Sequence, residues 1–317
     1  MPQLNLAGAR VINPVLTQVA QGFKQNNLIG SALFPIVNVG QRAGNIITFG
    51  REDFMQYSGL QRAPGAATKR VQFGYAGAPF AILDYSIEGS LPIENLQEGI
   101  ANDNGFTIDG AAIGIAKASN ILALRLEIAQ AALATTLGNY PAGNRVTLSG
   151  TAQWSDYSGT SSPAAVVETA KEAVRGATGK RPNTLVLGPV TFARLRQHPV
   201  IVDRMKYTGR DSVTTELLAQ YFGVDQVLVG DAVQATDAGV MSDVWGRHAI
   251  LAFTEVASAP EMGTPTFGYT YNLGGYPVVE EPYYDRNTKT WYFPTTRSEA
   301  PVIAGSSAGY FIQNAVA

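Results

Sequence analysis

The residues whose spacing best matches a catalytic motif lie near the end of the chain. Gly305-Ser306-Ser307-Ala308-Gly309 fits the G-x-S-x-G pattern of a hydrolase nucleophile elbow, a strand-to-helix turn that exposes a reactive serine. In that arrangement an acid and a histidine follow the serine along the chain. Only eight residues follow Gly309, and none is His, Asp or Glu. We therefore expect a turn between two terminal strands here, without a nucleophile.

Two glycine-containing segments match part of the sequence pattern of a phosphate-binding loop. Gly176–Lys180 resembles the end of a P-loop, but the spacing is incomplete and Arg181 stands where a hydroxyl residue would bind Mg²⁺. Leu187-Gly188-Pro189 lies at a predicted strand-to-helix junction, where one glycine followed by proline leaves too few backbone N–H donors to surround a phosphate. Both segments are interpreted as ordinary turns.

The groups available for acid–base or metal chemistry are few. The chain has no Cys and only two His, His198 and His248, which are far apart in the sequence. His198 is predicted to end a helix, where an imidazole complements the helix dipole. Glu280 and Glu281 are adjacent on a predicted strand and so face opposite sides. The sequence predicts no catalytic residues, no metal site and no cofactor.

The composition describes a folded protein with an unusually uncharged surface. Of 317 residues, 45% are apolar and 15% are charged, against about 25% charged in an average soluble domain. The net charge of −2 argues against a basic surface for nucleic acid. This length predicts about two domains. A low charge content suggests that other molecules cover much of the surface.

No membrane segment is predicted. The most apolar stretch, Ile108–Leu137, contains Asp109, Lys117, Arg125 and Glu127. Four charges within it are incompatible with a membrane span, and the N-terminus lacks the pattern of a signal peptide. We therefore expect synthesis in the cytoplasm and no membrane partner.

Residues 41–83 are predicted to form a long β-hairpin. Apolar and polar residues alternate around Thr48 and again around Gln72. The intervening Met55–Thr68 is rich in Gly, Ala, Pro and Gln and is far longer than the usual hairpin loop of about 2–5 residues. Because an isolated two-stranded hairpin is marginally stable in water, it should lie on its own chain or on a neighbouring one.

The rest of the chain divides into a long helix, an α/β segment and a β-rich end. Apolar residues at steps of three and four predict a helix over 107–138, with Gly138 as its C-cap and a length of roughly 45–50 Å. Residues 139–162 are the candidate domain boundary. The following α/β segment is predicted to contain helices at 163–175, 189–197 and 214–222, strands at 184–187, 226–229 and 249–253, and a loop at Gln234–Arg247. A β-hairpin is predicted around the turn at Asp285–Thr288.

Charge is distributed unevenly along the first third of the chain. Residues 1–80 carry a net charge of +5, whereas residues 81–116 carry −6 and contain no Lys or Arg. Opposite charge on adjacent segments suggests mutual attraction, within one chain or between subunits, although a solvated surface is an equal alternative. The candidate contact residues are Arg51, Arg62, Lys69 and Arg70 on the basic side and Glu88, Glu94, Glu98, Asp103 and Asp109 on the acidic side.

The order of these parts resembles that of the major capsid proteins of tailed bacteriophages. The residues that carry the resemblance are Arg181–Gly188, Phe192–His198, Tyr207–Gly209, Thr215–Phe222, Val227–Ala232 and Val244–Gly246. The resemblance implies an α+β fold of the Hong Kong-97 type. Its parts would be an N-terminal arm (1–40), an extended hairpin loop (41–83), a peripheral domain with a long spine helix (84–150), an axial α/β domain (151–262) and a return to the peripheral domain (263–317).

The resemblance also implies a function. The chain would form hexamers and pentamers of an icosahedral shell that encloses double-stranded DNA without sequence-specific binding, aided by portal, scaffolding and decoration proteins. The loop Gln234–Arg247 would lie near the symmetry axes. Its contact residues would be Asp237, Met241, Trp245 and Arg247. Two alternatives remain: an encapsulin-type compartment of the same fold, and an α/β enzyme with its ligand at the ends of strands 184–187 and 226–229.

Overall fold

The computed structural model describes residues 28–45, 61–62, 64, 79–94, 110–205, 213–235, 239–255 and 266–317. Its helices are α1 (Gly30–Leu33), α2 (Gly110–Thr135), α3 (Pro163–Thr178), α4 (Pro189–Arg196), α5 (Pro199–Met205) and α6 (Thr215–Phe222). Its strands are β1 (Ile36–Val39), β2 (Ala43–Asn45), β3 (Pro79–Ala81), β4 (Leu83–Pro92), β5 (Arg145–Thr147), β6 (Thr184–Leu187), β7 (Gln226–Val229), β8 (Val233–Ala235), β9 (Met241–Asp243), β10 (Ala249–Ala252), β11 (Gly268–Leu273), β12 (Val278–Val279), β13 (Tyr283–Asp285), β14 (Thr290–Ile303) and β15 (Gly309–Gln313).

A five-stranded sheet forms the centre of the α/β part, in the order β5–β15–β10–β6–β7. All four residues of β6 and of β10 are buried, as expected for short apolar strands in the middle of a sheet. Helix α3 contributes its buried face, including Val167 and Val174, to the apolar core on one side. The observed bounds of β6 and β7 are those predicted from the sequence.

The ends of the helices around this sheet follow local signals. Helix α3 has Pro163 in its first turn and Gly179 as its C-cap, in the left-handed conformation with a φ of 69°. It therefore runs three residues beyond the predicted end at Arg175. The side chain of Thr214 caps α6 by accepting from the N–H of Leu217. Helix α5, absent from the prediction, begins at Pro199 directly after the short turn that follows α4.

A six-stranded sheet is built around the long strand β14. Strand β4 pairs antiparallel along β14 from Pro92↔Thr290 to Leu83↔Glu299, and β11 pairs with its other end. Strand β1 is parallel to β11, while the short strands β12 and β13 pair with β14. The hairpin of β13 and β14 surrounds the turn predicted from the sequence.

Helix α2 packs across β4 and β14 as a spine. A Cβ atom on Gly89 of β4 would lie 2.5 Å from the carbonyl oxygen of Gly114, so a glycine is needed where strand and helix meet. The helix ends at Thr135, and the predicted C-cap Gly138 lies within a following 3₁₀ turn, Leu137–Asn139. The side chains of Asn139 and Tyr140 donate to carbonyls of the last helical turn, which makes a left-handed glycine unnecessary.

Three further predictions are corrected or limited by the structure. The segment Gln234–Arg247, predicted to be a loop, contains the antiparallel strands β8 and β9. The last strand, β15, joins the five-stranded sheet, although the sequence assigned residues 263–317 to the peripheral part. Residues 306–308 form a 3₁₀ turn between β14 and β15, in agreement with the turn expected there. The pairing of β2 with β3 forms the base of the predicted hairpin, whose remainder lies outside the described residues.

Candidate assembly surfaces

Most of the predicted intersubunit contact residues lie outside the described part of the chain. These are Arg51, Lys69, Arg70, Glu98, Asp103, Asp109 and, in the axial segment, Asp237. Of the others, Arg62, Glu88 and Glu94 are exposed. The Glu88 carboxylate on β4 accepts hydrogen bonds from the Tyr283 hydroxyl, with O–O distances of 3.2 and 3.1 Å. The structure thus places these acidic groups on the solvent side of the six-stranded sheet.

One pair between the basic and the acidic segments is visible at the base of the hairpin. Arg42 Nη1 lies 2.9 Å from Asp84 Oδ2, and Ser298 Oγ donates to the other oxygen of the same carboxylate. The hydrogen bond to Asp84 raises the pKa of Arg42. Because both charged side chains are partly exposed, such a pair contributes only about 0–1 kcal/mol. It links the two oppositely charged segments within one chain.

An open groove of about 490 Å³ lies between the spine helix α2 and strands β4 and β14. It is lined mainly by apolar or small side chains, namely Ala81, Leu83, Tyr85, Ala129, Ala132, Leu133, Thr136, Ala300, Pro301 and Val302. Leu83 is 57% exposed. An apolar channel beside the base of the hairpin is a surface that another chain segment can fill.

The groove also contains a partly buried charge cluster. The Arg125 guanidinium stacks on the Tyr85 ring, and its Nη1 lies 3.5 Å from Glu299 Oε1. Arg297 lies 3.6 Å from the other carboxylate oxygen. Burial raises the pKa of Glu299, and the charges of Arg297 and Arg125 oppose this shift. Burial lowers the pKa of Arg125, and the charge of Glu299 opposes that shift. The cluster joins α2 to β4 and β14 through charge as well as packing.

A second exposed apolar surface lies on the β8–β9 hairpin. Val233, Val240 and Met241 are 44%, 61% and 63% exposed, and these two strands form a separate two-stranded sheet. Arg247 is also exposed, and its carbonyl accepts from the N–H of Ala315. Met241 and Arg247 are therefore accessible, and their assignment as axial contacts stays a prediction.

Trp245, the fourth predicted axial contact, is instead buried. It is 1% exposed, and its Nε1–H donates to Glu127 Oε1 at 2.7 Å. The carboxylate of Glu127 also accepts from the N–H groups of Ile29 and Gly30, at 3.0 and 2.8 Å. Burial raises the pKa of Glu127, and the three donors oppose that shift. An indole this deep in the core cannot contact another subunit, so the assignment of Trp245 is wrong.

Sequence reasoning missed Glu127 as a structural centre. The available signal was an acidic residue on the apolar face of the spine, between Leu126 and Gln130. A charge at such a position requires buried donors. The sequence could not show that these donors come from residues about 100 positions away on either side.

Two glycines are closely packed at the position where an enzyme of this topology would bind its ligand. In α/β sheets, ligands bind outside the carboxyl ends of parallel strands. Here Trp245 packs against Gly230 beyond β7, and the Gly246 carbonyl packs against Gly188 beyond β6, so neither glycine has room for a Cβ atom. His198 is buried against Tyr157, and His248 Nδ1 accepts from the N–H of Asn314. Within the described ranges, no three metal-binding side chains cluster and no helix could span a membrane.

The comparisons with known proteins agree with one another. Residues 139–291 match the family described as phage major capsid protein E. Over 97% of both chains, the sequence is 32% identical to the major capsid protein of Burkholderia phage BcepMu.

Solved structures extend this likeness to the fold. A phage-related protein of Bordetella bronchiseptica RB50 is 36% identical and superposes with a TM-score of 0.78, covering 96% of this chain and 98% of its own. The capsid of cyanophage P-SCSP1u, 12% identical, has the same fold, with a TM-score of 0.57 over 92% of this chain and 89% of its own. The mixed architecture and the match over almost the full length lead to one conclusion: this chain belongs to the phage major capsid proteins, and its role is that of a structural, shell-forming subunit.

Proposed function

We propose that the chain assembles as pentamers and hexamers into an icosahedral shell around the double-stranded DNA of a tailed phage, and that it catalyses no reaction. The observation that carries this proposal is the similarity to a phage major capsid protein over 97% of both chains. The proposed partners are further copies of the chain together with portal, scaffolding and decoration proteins, and synthesis takes place in the host cytoplasm.

The first proposed contact is the β8–β9 hairpin near the symmetry axes. Three exposed apolar side chains on a two-stranded sheet are costly in water and gain stability when copies pack around an axis. The residues proposed for this contact are Met241 and Arg247, together with Asp237 in the adjoining segment. Trp245 is not among them because it is buried.

The second proposed contact is a clasp between neighbouring subunits. The basic hairpin residues Arg51, Arg62, Lys69 and Arg70 would approach the acidic residues Glu88, Glu94, Glu98, Asp103 and Asp109 of an adjacent copy. The groove beside Leu83 offers the apolar part of this contact, and exposed carboxylates on β4 offer the charge. Individual surface pairs are weak, so the clasp depends on many copies acting together.

Light scattering and negative-stain microscopy of the purified chain, alone and with the phage's scaffolding protein, test shell formation. Closed shells or rings of five and six subunits are expected. A stable monomer under all conditions that carries a tightly bound small molecule would overturn the proposal in favour of the enzyme alternative.

The clasp is tested by reversing Arg62, Lys69 and Arg70 to Glu together. The matched control reverses Lys180, Arg194 and Arg286, exposed basic residues elsewhere, and so changes the net charge equally. We expect the first variant to remain folded by circular dichroism and to lose shells, while the control assembles. Normal shells from the first variant would contradict the clasp.

The compartment alternative shares the fold, so the contents of the particle distinguish it. Particles purified from the host are expected to contain DNA that nuclease cannot reach. Particles filled with one cargo protein would replace the phage shell with a compartment.

A further inference from the structure

The short helix α1 is held at both of its ends by polar groups of the molecule's interior. At its start, the N–H groups of Ile29 and Gly30 donate to the two oxygens of Glu127. At its end, the carbonyl of Phe34 accepts from the Thr270 hydroxyl at 3.0 Å. Gln130, one turn along the spine from Glu127, donates to that same hydroxyl at 2.9 Å. Residues 29–34 are thus attached to the spine helix at one end through Glu127 and at the other through Thr270 and Gln130.

The fit of α1 against the spine leaves no free space. A Cβ atom on Gly30 would overlap Gln130 Oε1 and lie 2.7 Å from Glu127 Oε2, so the backbone approaches the two side chains as closely as a glycine allows. Leu33 and Phe34 are fully buried beside it. Because Glu127 is buried, the hydrogen bonds to its carboxylate are strong and are costly to lose.

One atom of the network is shared with the α/β part of the molecule. Glu127 Oε1 accepts from the N–H of Ile29 and also from Trp245 Nε1, at 3.0 and 2.7 Å. Trp245 precedes β10 of the five-stranded sheet and packs in the apolar cluster that contains Phe34. A shift of the indole therefore changes the acceptor that holds the start of α1.

We propose that Glu127 positions residues 28–34 of the subunit for assembly and couples their attachment to the α/β part through Trp245. The inference rests on the proposed shell function, because a subunit whose α1 is released from the spine would enter a shell in more than one conformation. Glu127 acts through the backbone of α1 and contacts no partner itself, so it is a positioning residue.

Glu127→Gln is the informative substitution because it conserves shape. The glutamine side chain has one N–H₂ group in place of a carboxylate oxygen, and that group cannot accept a hydrogen bond. If it replaces Oε2, the N–H of Gly30 loses its acceptor. If it replaces Oε1, the N–H of Ile29 and the indole N–H of Trp245 lose theirs. The matched control is Glu172→Gln, the same chemical change in a carboxylate of α3 whose partners, Arg175 and Arg181, lie outside both proposed contacts.

Three measurements on the full chain test the proposal. In Glu127→Gln, we expect hydrogen exchange of residues 28–34 to rise about tenfold to a hundredfold, the factor that corresponds to losing a hydrogen bond to a charged group. Exchange of residues 184–187 should stay unchanged. The indole N–H signal of Trp245, assigned with Trp245→Phe, should move while those of Trp154 and Trp291 do not. Shells of Glu127→Gln should be heterogeneous in size, and those of Glu172→Gln uniform.

Coupling has its own readout. Trp245→Phe keeps both backbone bonds to Glu127, so exchange of residues 28–34 should rise by a smaller factor, about threefold. Unchanged exchange in that variant would overturn the coupling. In Glu127→Gln, hydrogen exchange of residues 28–34 that matches the wild type, or that rises equally throughout the chain, would overturn the positioning role of Glu127. Shells of that variant as uniform as those of the wild type, despite faster exchange at residues 28–34, would also overturn it. If the wild-type chain never forms shells but Glu127 still protects residues 28–34 from exchange, the proposed function would be contradicted. The attachment of residues 28–34 by Glu127 would still hold.

Discussion

The two sheets of this molecule are stabilised in different ways. The five-stranded sheet is packed with apolar side chains, and residues such as Leu185, Leu187 and Ile312 are completely buried. The six-stranded sheet has a small apolar cluster around Ile115, Val279 and Phe293. Many of its other buried groups are polar, including Thr270, Thr295, Thr296, Ser298 and Glu299.

The two regions also differ in where they expose large apolar side chains. The six-stranded sheet and its spine leave Ile36, Leu83, Ile121, Tyr283 and Trp291 substantially exposed. In the α/β part, the most exposed large apolar side chains are concentrated on the β8–β9 hairpin. A region with a small core and an open apolar groove gains stability by contact, whereas a region with a full core folds on its own. The comparison therefore predicts that neighbouring subunits stabilise the spine region and that the five-stranded sheet supplies intrinsic stability.

The largest effect should come from the core of the five-stranded sheet. Leu187→Ala is expected to lower the free energy of unfolding of the isolated subunit by about 3 kcal/mol, because a completely buried leucine leaves a cavity. Urea unfolding followed by far-ultraviolet circular dichroism measures this loss. A loss below about 1 kcal/mol would show that this sheet is not the stable region.

The charge cluster of the spine region should be next in size. Arg125→Met is expected to cost about 2 kcal/mol, less than for a fully buried pair because Arg125 is 31% exposed. It leaves the Glu299 carboxylate with Arg297 alone. Adding Glu299→Gln should recover at least half of the loss in the same urea experiment. A double variant as unstable as the sum of the single ones would refute the pairing.

Leu83→Ala makes the same chemical change as Leu187→Ala on a largely exposed residue of the groove. Its cost to the isolated subunit should stay within about 0.5 kcal/mol, as is usual for surface positions. The yield of closed shells by sedimentation should nevertheless fall severalfold, because the groove is proposed to be filled by a neighbour. Unaltered shell yield would mean that the groove stays open in the particle.

The smallest effect is a pH dependence in the α/β part. Burial lowers the pKa of His198, partly opposed by Asp156, and neither ring nitrogen has a hydrogen-bond partner. The unfolded chain therefore binds the proton more readily. The contribution of neutral His198 to the free energy of unfolding is fully present above the ordinary histidine pKa of about 6.5. It is lost as the pH falls from that value toward the lower pKa of His198 in the folded chain.

His198→Gln removes this contribution, so its loss of stability between pH 7 and pH 5 should be smaller than that of the wild type. Thermal unfolding at several pH values measures the difference. His248, whose pKa burial also lowers, remains in both chains and cancels in the comparison. Parallel pH profiles would exclude His198 as a source of acid sensitivity.

The sequence by itself determined the elements that depend on neighbours along the chain. Strands β6 and β7, the helices that begin at Pro163 and Pro189, and the turn after Asp285 follow from alternation, helix caps and turn residues, which act within a few positions. The order of these elements also carried the resemblance to capsid proteins. Local signals were therefore sufficient for the fold class and for the family.

Only the tertiary structure decided which distant segments meet. The pairing of β15 with β10, the burial of Trp245 and the three donors around Glu127 join residues more than 55 positions apart. Trp245 in a polar segment has the pattern of an exposed contact, and Glu127 in an apolar helix looks like an isolated charge. Each satisfies the other in the interior, because a buried carboxylate requires donors and a buried indole N–H requires an acceptor. No local pattern encodes that pairing, since its partners come together only when the chain folds.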